Sequence, residues 1–174
     1  MARAGFSLVE MMLVLVVLTV AVSMLSGMVA TTSAMVPLQL QQALASEAAR
    51  AQVELMRTAS FEDLFSTYNQ NPADDPLGPG TANGANFFVR GLSAAIDDVD
   101  GLCGRVRFPE INGQLREDIT DRKLGMPRDL NFDGVIGTKN VAADAIVLPV
   151  EIRIEWQYGV TLRSYSLYTM FVRG

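Results

Sequence analysis

The stretch Gly5 to Met28, G-F-S-L-V-E-M-M-L-V-L-V-V-L-T-V-A-V-S-M-L-S-G-M, decides how the rest of the chain is read. A hexapeptide, Gly5-Phe6-Ser7-Leu8-Val9-Glu10, runs into an apolar segment, and no Lys, Arg, Asp or Glu occurs from Met11 to Ser46. A bilayer core takes roughly 20 apolar residues at about 1.5 Å of helical rise each, and Met11 to Ala30 supplies that length. Glu10 therefore stands alone at the entrance to a membrane-length helix. A carboxylate near hydrocarbon is costly unless a positive group meets it, so Glu10 needs a cationic partner.

Two simpler explanations of this start fit poorly. A cleaved secretory signal has a charged beginning, an apolar region of about 7 to 15 residues and a small-residue cut site after it. Here the beginning, Met1 to Ala4, is short and the apolar run is too long. A plain membrane anchor agrees with Arg3 on the cytoplasmic side, but it has no use for Glu10.

Gly5, Phe6, Ser7, Leu8, Val9 and Glu10, followed by an uncharged helix, closely resemble the prepilin cleavage and methylation motif of type IV pilins and type II secretion pseudopilins. The resemblance implies a cut by prepilin peptidase between Gly5 and Phe6 on the cytoplasmic face, N-methylation of Phe6, and a mature chain of 174 − 5 = 169 residues. Cleavage creates a cationic amine on Phe6, and opposite charges attract far more strongly in low-dielectric surroundings than in water. The family resemblance places that amine on a neighbouring subunit, which makes Glu10 the assembly residue. The partners so implied are prepilin peptidase, other pilin or pseudopilin subunits, the inner-membrane assembly platform, and the membrane itself before assembly. The expected location is the inner membrane, single-pass with the N-terminus cytoplasmic and the head periplasmic, and then the pilus or cell surface.

Composition agrees with a structural, non-enzymatic chain. The 14 basic and 19 acidic residues leave a net charge of −5, which argues against nucleic-acid binding through a basic surface. With no His, the commonest general base and metal ligand is missing. The single cysteine, Cys103, excludes an intramolecular disulfide. Many pilins close a C-terminal loop with one, so this departure favours a minor over a major pilin. Cys103 itself reads as a small buried hydrophobe.

Four segments follow: a leader over 1–5, an apolar half-helix over 6–30, an amphipathic half over 31–58 and a globular head over 59–174. Gly27 and Pro37 are weak points in the helix. Beyond Pro37, Leu38, Leu40, Ala45, Ala48, Ala49, Val53 and Met56 form an apolar stripe among Gln, Glu and Arg at helical spacing. A helix from Phe6 to Thr58 would extend roughly 80 Å, far more than a head of this size requires.

Ser60 with Asp63 caps a short helix carrying Phe61, Leu64, Phe65 and Tyr68, and Asn69 to Asn86 reads as a long Pro/Gly/Asn/Asp loop. Its Gly78-to-Gly84 run only distantly resembles a phosphate cradle, since the spacing is wrong and no Lys-Ser/Thr follows. Phe87 to Arg90 and Gly104 to Phe108 are short strand candidates. Ala145 to Gln157 alternates, with Ile146, Leu148, Val150, Ile152, Ile154 and Trp156 on one face and Pro149, Glu151, Arg153, Glu155 and Gln157 on the other, the pattern of a half-buried strand. Tyr158-Gly159 turns it into a second strand, Val160 to Val172. The fold class is α+β: a long N-terminal hydrophobic spine helix packed on a C-terminal antiparallel sheet of about four strands, pilin-like.

One chemical motif remains, Asp129-Leu130-Asn131-Phe132-Asp133-Gly134-Val135-Ile136-Gly137, which matches the start of a calcium loop. Asn140 occupies the twelfth position in place of a bidentate carboxylate, Asp144 is the substitute within reach, and no second helix follows. A Ca2+ site of Asp129, Asn131, Asp133, the Val135 carbonyl, Asn140 and Asp144, and a plain Asx-rich turn, both stay open; no cofactor is required. The acidic groups Asp74-Asp75, Asp97-Asp98-Asp100 and Glu117-Asp118 are expected to be solvated turns. Two classes of function compete: an assembly subunit, a minor pilin of a type IV pilus or else a type II secretion pseudopilin, and a non-polymerising, membrane-anchored, calcium-dependent binding module.

Overall fold

The computed structural model describes residues 7–96, 98 and 100–174, and for 29–36 the backbone alone. Helix α1 spans Leu8–Thr58 and includes Pro37. Two compact units divide the chain, one to Leu40 and one from Gln41 to Gly174.

In the second unit the apolar stripe of α1 is narrower than its sequence pattern. Ala45, Ala49, Val53 and Met56 are buried, with Gln52 beside them, whereas Leu40 is exposed. These positions are separated by three or four residues and so share one face of the helix. Alanines at two of them let other side chains approach the backbone closely.

Helix α2, Phe61–Tyr68, begins as the sequence suggests. The Ser60 hydroxyl accepts the Asp63 N–H at 3.3 Å and donates to Asp63 Oδ2 at 2.9 Å, and Leu64, Phe65 and Tyr68 enter the core. The polar loop that follows contains one 3-10 turn, Pro72–Asp74.

The main sheet is antiparallel with strand order β1-β2-β5-β6: Asn86–Phe87, Gly104–Arg107, Val147–Tyr158 and Thr161–Val172. A small second sheet pairs β3, Glu110–Ile111, with β4, Gln114–Leu115. The strand expected over Phe87 to Arg90 is thus shorter and starts one residue earlier. Gly159, at φ 59°, turns the long hairpin, and its ladder runs unbroken from Tyr158↔Thr161 to Val147↔Val172.

The expected half-buried alternation holds from Leu148 on one face, with Ile146 half-buried and outside β5, while on the other it holds at Arg153, Glu155 and Gln157 and fails before them. Leu148, Val150, Ile152, Ile154 and Trp156 are buried as anticipated, but Val147, Pro149 and Glu151 are buried too. The cover is the irregular segment after β4. Its Lys123 ammonium sits over the Tyr168 ring, and the Arg128 guanidinium donates to the Met170 sulfur at 3.1 Å. Tyr168 and Met170 are the β6 partners of Glu151 and Pro149. Leu115, Leu124, Met126, Leu130 and Val141 from the same region join the hydrophobic core.

Gly104 faces the Phe87 ring so closely that any Cβ would collide with it. Gly104→Ala should destabilise the protein by about 1–3 kcal/mol through overpacking, read as a lower midpoint in thermal unfolding, and adding Phe87→Leu should recover part of the loss.

Candidate functional site

At the start of α1 the N–H groups of Glu10 and Met11 both donate to the Ser7 carbonyl, at 3.0 and 3.2 Å. Glu10 lies exposed in the first helical turn, where a negative charge also complements the helix dipole. Leu8–Met28 forms a 21-residue stretch of mean hydropathy 2.6, none of it buried by the protein, and long and apolar enough to cross a membrane. Its hydroxyls satisfy themselves: Thr19 donates to the Val16 carbonyl, Ser23 to Thr19 and Ser26 to Val22, at 2.8 to 2.9 Å. Helix and hydroxyls together leave little polar demand for a surrounding solvent to meet, the condition for residence in hydrocarbon. Gly5 and Phe6, the expected cleavage and methylation residues, lie outside the described residues, as does Asp97.

The Asp129 loop is held by its own Asx side chains and by two carboxylates from outside, Asp144 and Glu117. Gly134 N–H donates to Asp129 Oδ2 at 2.8 Å, Asp133 N–H to Asn131 Oδ1 at 3.2 Å and Val135 N–H to Asp133 Oδ1 at 2.8 Å. Asn131 Nδ2 donates to Asp144 Oδ2 at 2.9 Å and to Asp133 Oδ2 at 3.3 Å, drawing Asp144 to the loop. Asn140 is committed elsewhere, since its Oδ1 accepts the N–H groups of Leu115 and Ala142, both at 3.1 Å. Among the described residues no three His, Cys, Asp or Glu side chains gather to hold a metal ion by themselves. Asp129 Oδ1, however, is buried with no hydrogen-bond partner. Phe132 adopts φ 59°, a strained conformation for a bulky residue, and with Val135 and Ile136 exposes an apolar tip.

Glu117 corrects the expectation of a solvated turn. It is 1% exposed, and its two carboxylate oxygens clasp the ends of the loop: Leu130 N–H donates to Oε1 at 2.8 Å and Gly137 N–H to Oε2 at 3.0 Å. The Glu117 carbonyl also accepts Arg128 N–H at 3.2 Å. Nothing in a Glu-Asp pair within a polar stretch announces this, because the partners are backbone groups far along the chain. Asp118 by contrast pairs with Arg116 at 2.6 Å, and that guanidinium, first by hydrogen bonding, holds its carboxyl below the usual range.

Cys103 is buried as expected, its thiol donating to the Leu92 carbonyl at 3.6 Å. Burial, then the charge of Asp98, pushes the thiol pKa up, which makes it a poor nucleophile. Gly78, Gly80 and Gly84 all take positive φ, as a turn-rich loop requires. Beside β3, a polar cavity of about 500 Å³ holds Glu110, whose carboxyl is raised by burial and then by Asp74, and whose Oε2 is buried without a partner. None of these groups forms a nucleophile, base and orienting residue in hydrogen-bonded sequence.

Residues 1–26 match the family model described as the prokaryotic N-terminal methylation motif. No curated protein and no solved structure matches the chain.

Glu117→Ala should cost about 2–4 kcal/mol, since a buried N–H group at Leu130 and a half-buried one at Gly137 lose their acceptor. Chemical denaturation checks this, and Asp118→Ala should cost well under half as much because its ion pair is partly solvated.

Proposed function

We propose that this chain, which carries the N-terminal signature of type IV pilins and pseudopilins, is a structural subunit of a type IV pilus, in the role of a minor pilin. Glu10 carries the reading: it is the lone carboxylate at the head of a self-satisfied, uncharged, membrane-length helix, directly behind a matched methylation motif. Such a motif implies processing by prepilin peptidase and assembly with other pilin subunits. In the proposed sequence the leader Met1 to Gly5 is removed and the Phe6 amine becomes cationic and methylated. Glu10 of one subunit then meets the Phe6 amine of the next as the apolar helices bundle. Until that contact forms, no described residue gives the carboxylate a counter-charge, so docking in the correct register is favoured over slipped ones. The absence of a second cysteine supports the minor role over the major one. A type II secretion pseudopilin would use the same helix in the same way.

Purified membrane protein should begin at Phe6 on N-terminal sequencing. Glu10→Val should leave that cleavage and membrane insertion intact while reducing incorporation into filaments several-fold, scored by immunoblot of sheared pili. A chain that still begins at Met1, or a variant incorporated as well as the parent, overturns the mechanism.

A second, smaller reading attaches to the Asp129 loop, and the buried, partnerless Asp129 Oδ1 favours it. Calcium would be held by Asp129, Asn131, Asp133 and Asp144 with the Val135 carbonyl, a set of hard oxygen donors suited to that ion. Asn140, with its oxygen already shared by two N–H groups, stands apart from that set. A ligand that binds the folded state alone stabilises it by mass action, about 2.7 kcal/mol at one hundred times Kd. The full chain in detergent should melt several degrees higher in millimolar Ca2+ than in chelator, and Asp129→Ala with Asp133→Ala should abolish the difference. An unchanged midpoint in the parent returns the loop to a plain polar turn.

A further inference from the structure

Strand β6 is the free edge of the sheet: β5 pairs with one side of it, and among the described residues no segment hydrogen-bonds its other side. Natural edges are blunted by proline, charge or a bulge. β6 lacks proline, has one charged residue in twelve, Arg163, and keeps an unbroken register with β5. In a two-residue hairpin the closing pair, here Tyr158 and Thr161, exchanges hydrogen bonds across the ladder. Alternate residues from Leu162 to Val172 therefore aim N–H and C=O away from the sheet.

Charge selects what pairs there. On one side of the edge a cleft of about 220 Å³ between α1 and β6 is lined by Arg50, Arg57, Glu54, Leu167 and Thr169, and its only carboxylate, Glu54, already pairs with Arg57 at 3.0 Å. On the other side Lys123 lies over Tyr168 and Arg128 reaches Met170. The acidic groups near that flank are engaged: Glu151 with Arg107 and Tyr168, Asp121 with the backbone N–H groups of Lys123 and Leu124. Cations thus border the edge on both faces. A second copy of β6 would bring the same cations against one another, which disfavours self-pairing.

We propose that the free edge of β6 is a strand-addition site for an extended acidic peptide segment of a partner protein. Main-chain hydrogen bonds to Ser164, Ser166 and Tyr168 supply the docking, and carboxylates on the two faces of the added strand meet Arg50 on one side and Lys123 and Arg128 on the other. The site is independent of the contact between Glu10 and Phe6 and holds whether or not that contact forms.

The test uses the full chain in detergent and a fluorescent peptide of the length of β6 that repeats Glu-Glu-Thr-Thr, which places glutamates on both faces of an extended strand, with a Lys-Lys-Thr-Thr repeat as control. The acidic peptide should bind, weaken with salt, and slow amide exchange at Ser164, Ser166 and Tyr168, while the basic one should not bind. Ser166→Pro removes an outward N–H and no ladder bond, so it should keep the parental melting temperature and lose about tenfold or more in affinity. Leu167→Pro, on the inward register, should unfold the sheet. Equal binding of both peptides, no binding, or full affinity in Ser166→Pro overturns the proposal. Should Ser166→Pro fail to fold, exchange in the unmodified chain decides: slowing confined to those amides supports strand addition, and unchanged exchange overturns it.

Discussion

Glu151 is 3% exposed near the middle of the sheet, and a carboxylate withdrawn from water must be met by donors or it destabilises the fold. Two strands supply them. Arg107 of β2 donates to Oε2 at 2.8 Å and the Tyr168 hydroxyl of β6 donates to Oε1 at 2.9 Å. The clamp ties both neighbours of β5 to it in one register, because a slip of one residue would turn Glu151 toward the apolar face and strand both donors. The irregular segment carrying Lys123 and Arg128 then lies over Tyr168 and Met170, which is why the outer face of β5 is covered and not wet.

With the sheet so braced, the loops become parts with defined anchors. Glu117 repeats the same physics on backbone donors, gripping Leu130 and Gly137 so that the Asp129 loop is closed at both ends. Leu130 in turn accepts the N–H groups of Ile146 and Val147 at 2.8 and 3.0 Å, which carries the closure directly into the start of β5. The aspartates of the loop use most of their oxygens on local N–H groups, and Asp129 Oδ1 alone is left buried without one.

Helix α1 meets two different demands in one element. From Leu8 to Met28 every side chain is apolar or a hydroxyl bonded back to its own helix, with Glu10 the exception; from Ala45 onward a narrow stripe of small and flexible side chains enters the head core. The exception stands out because the other side chains from Leu8 to Met28 leave no hydroxyl without a partner in the helix. Among the described residues none gives Glu10 a counter-charge, and a carboxylate in hydrocarbon is costly without one.

Much of this was legible in the sequence because it rests on short-range periodicity. The apolar run from Met11, the hydroxyl cap at Ser60, the alternation from Leu148 to Trp156 and the glycine turn at Gly159 each declare themselves within a few residues, and they determined the α+β class, the long helix and the final hairpin. The hexapeptide at Gly5 to Glu10 likewise carried the family signature by itself. What only the tertiary structure decided depends on groups distant along the chain: that Glu117 is a buried clasp and not a solvated turn, that Pro149 and Glu151 lie under cover, that Asn140 braces Leu115, and that β6 is left as a free edge with cations on both faces. A carboxylate has the same local pattern whether water or a backbone N–H far along the chain satisfies it, and only the folded chain brings that donor into reach.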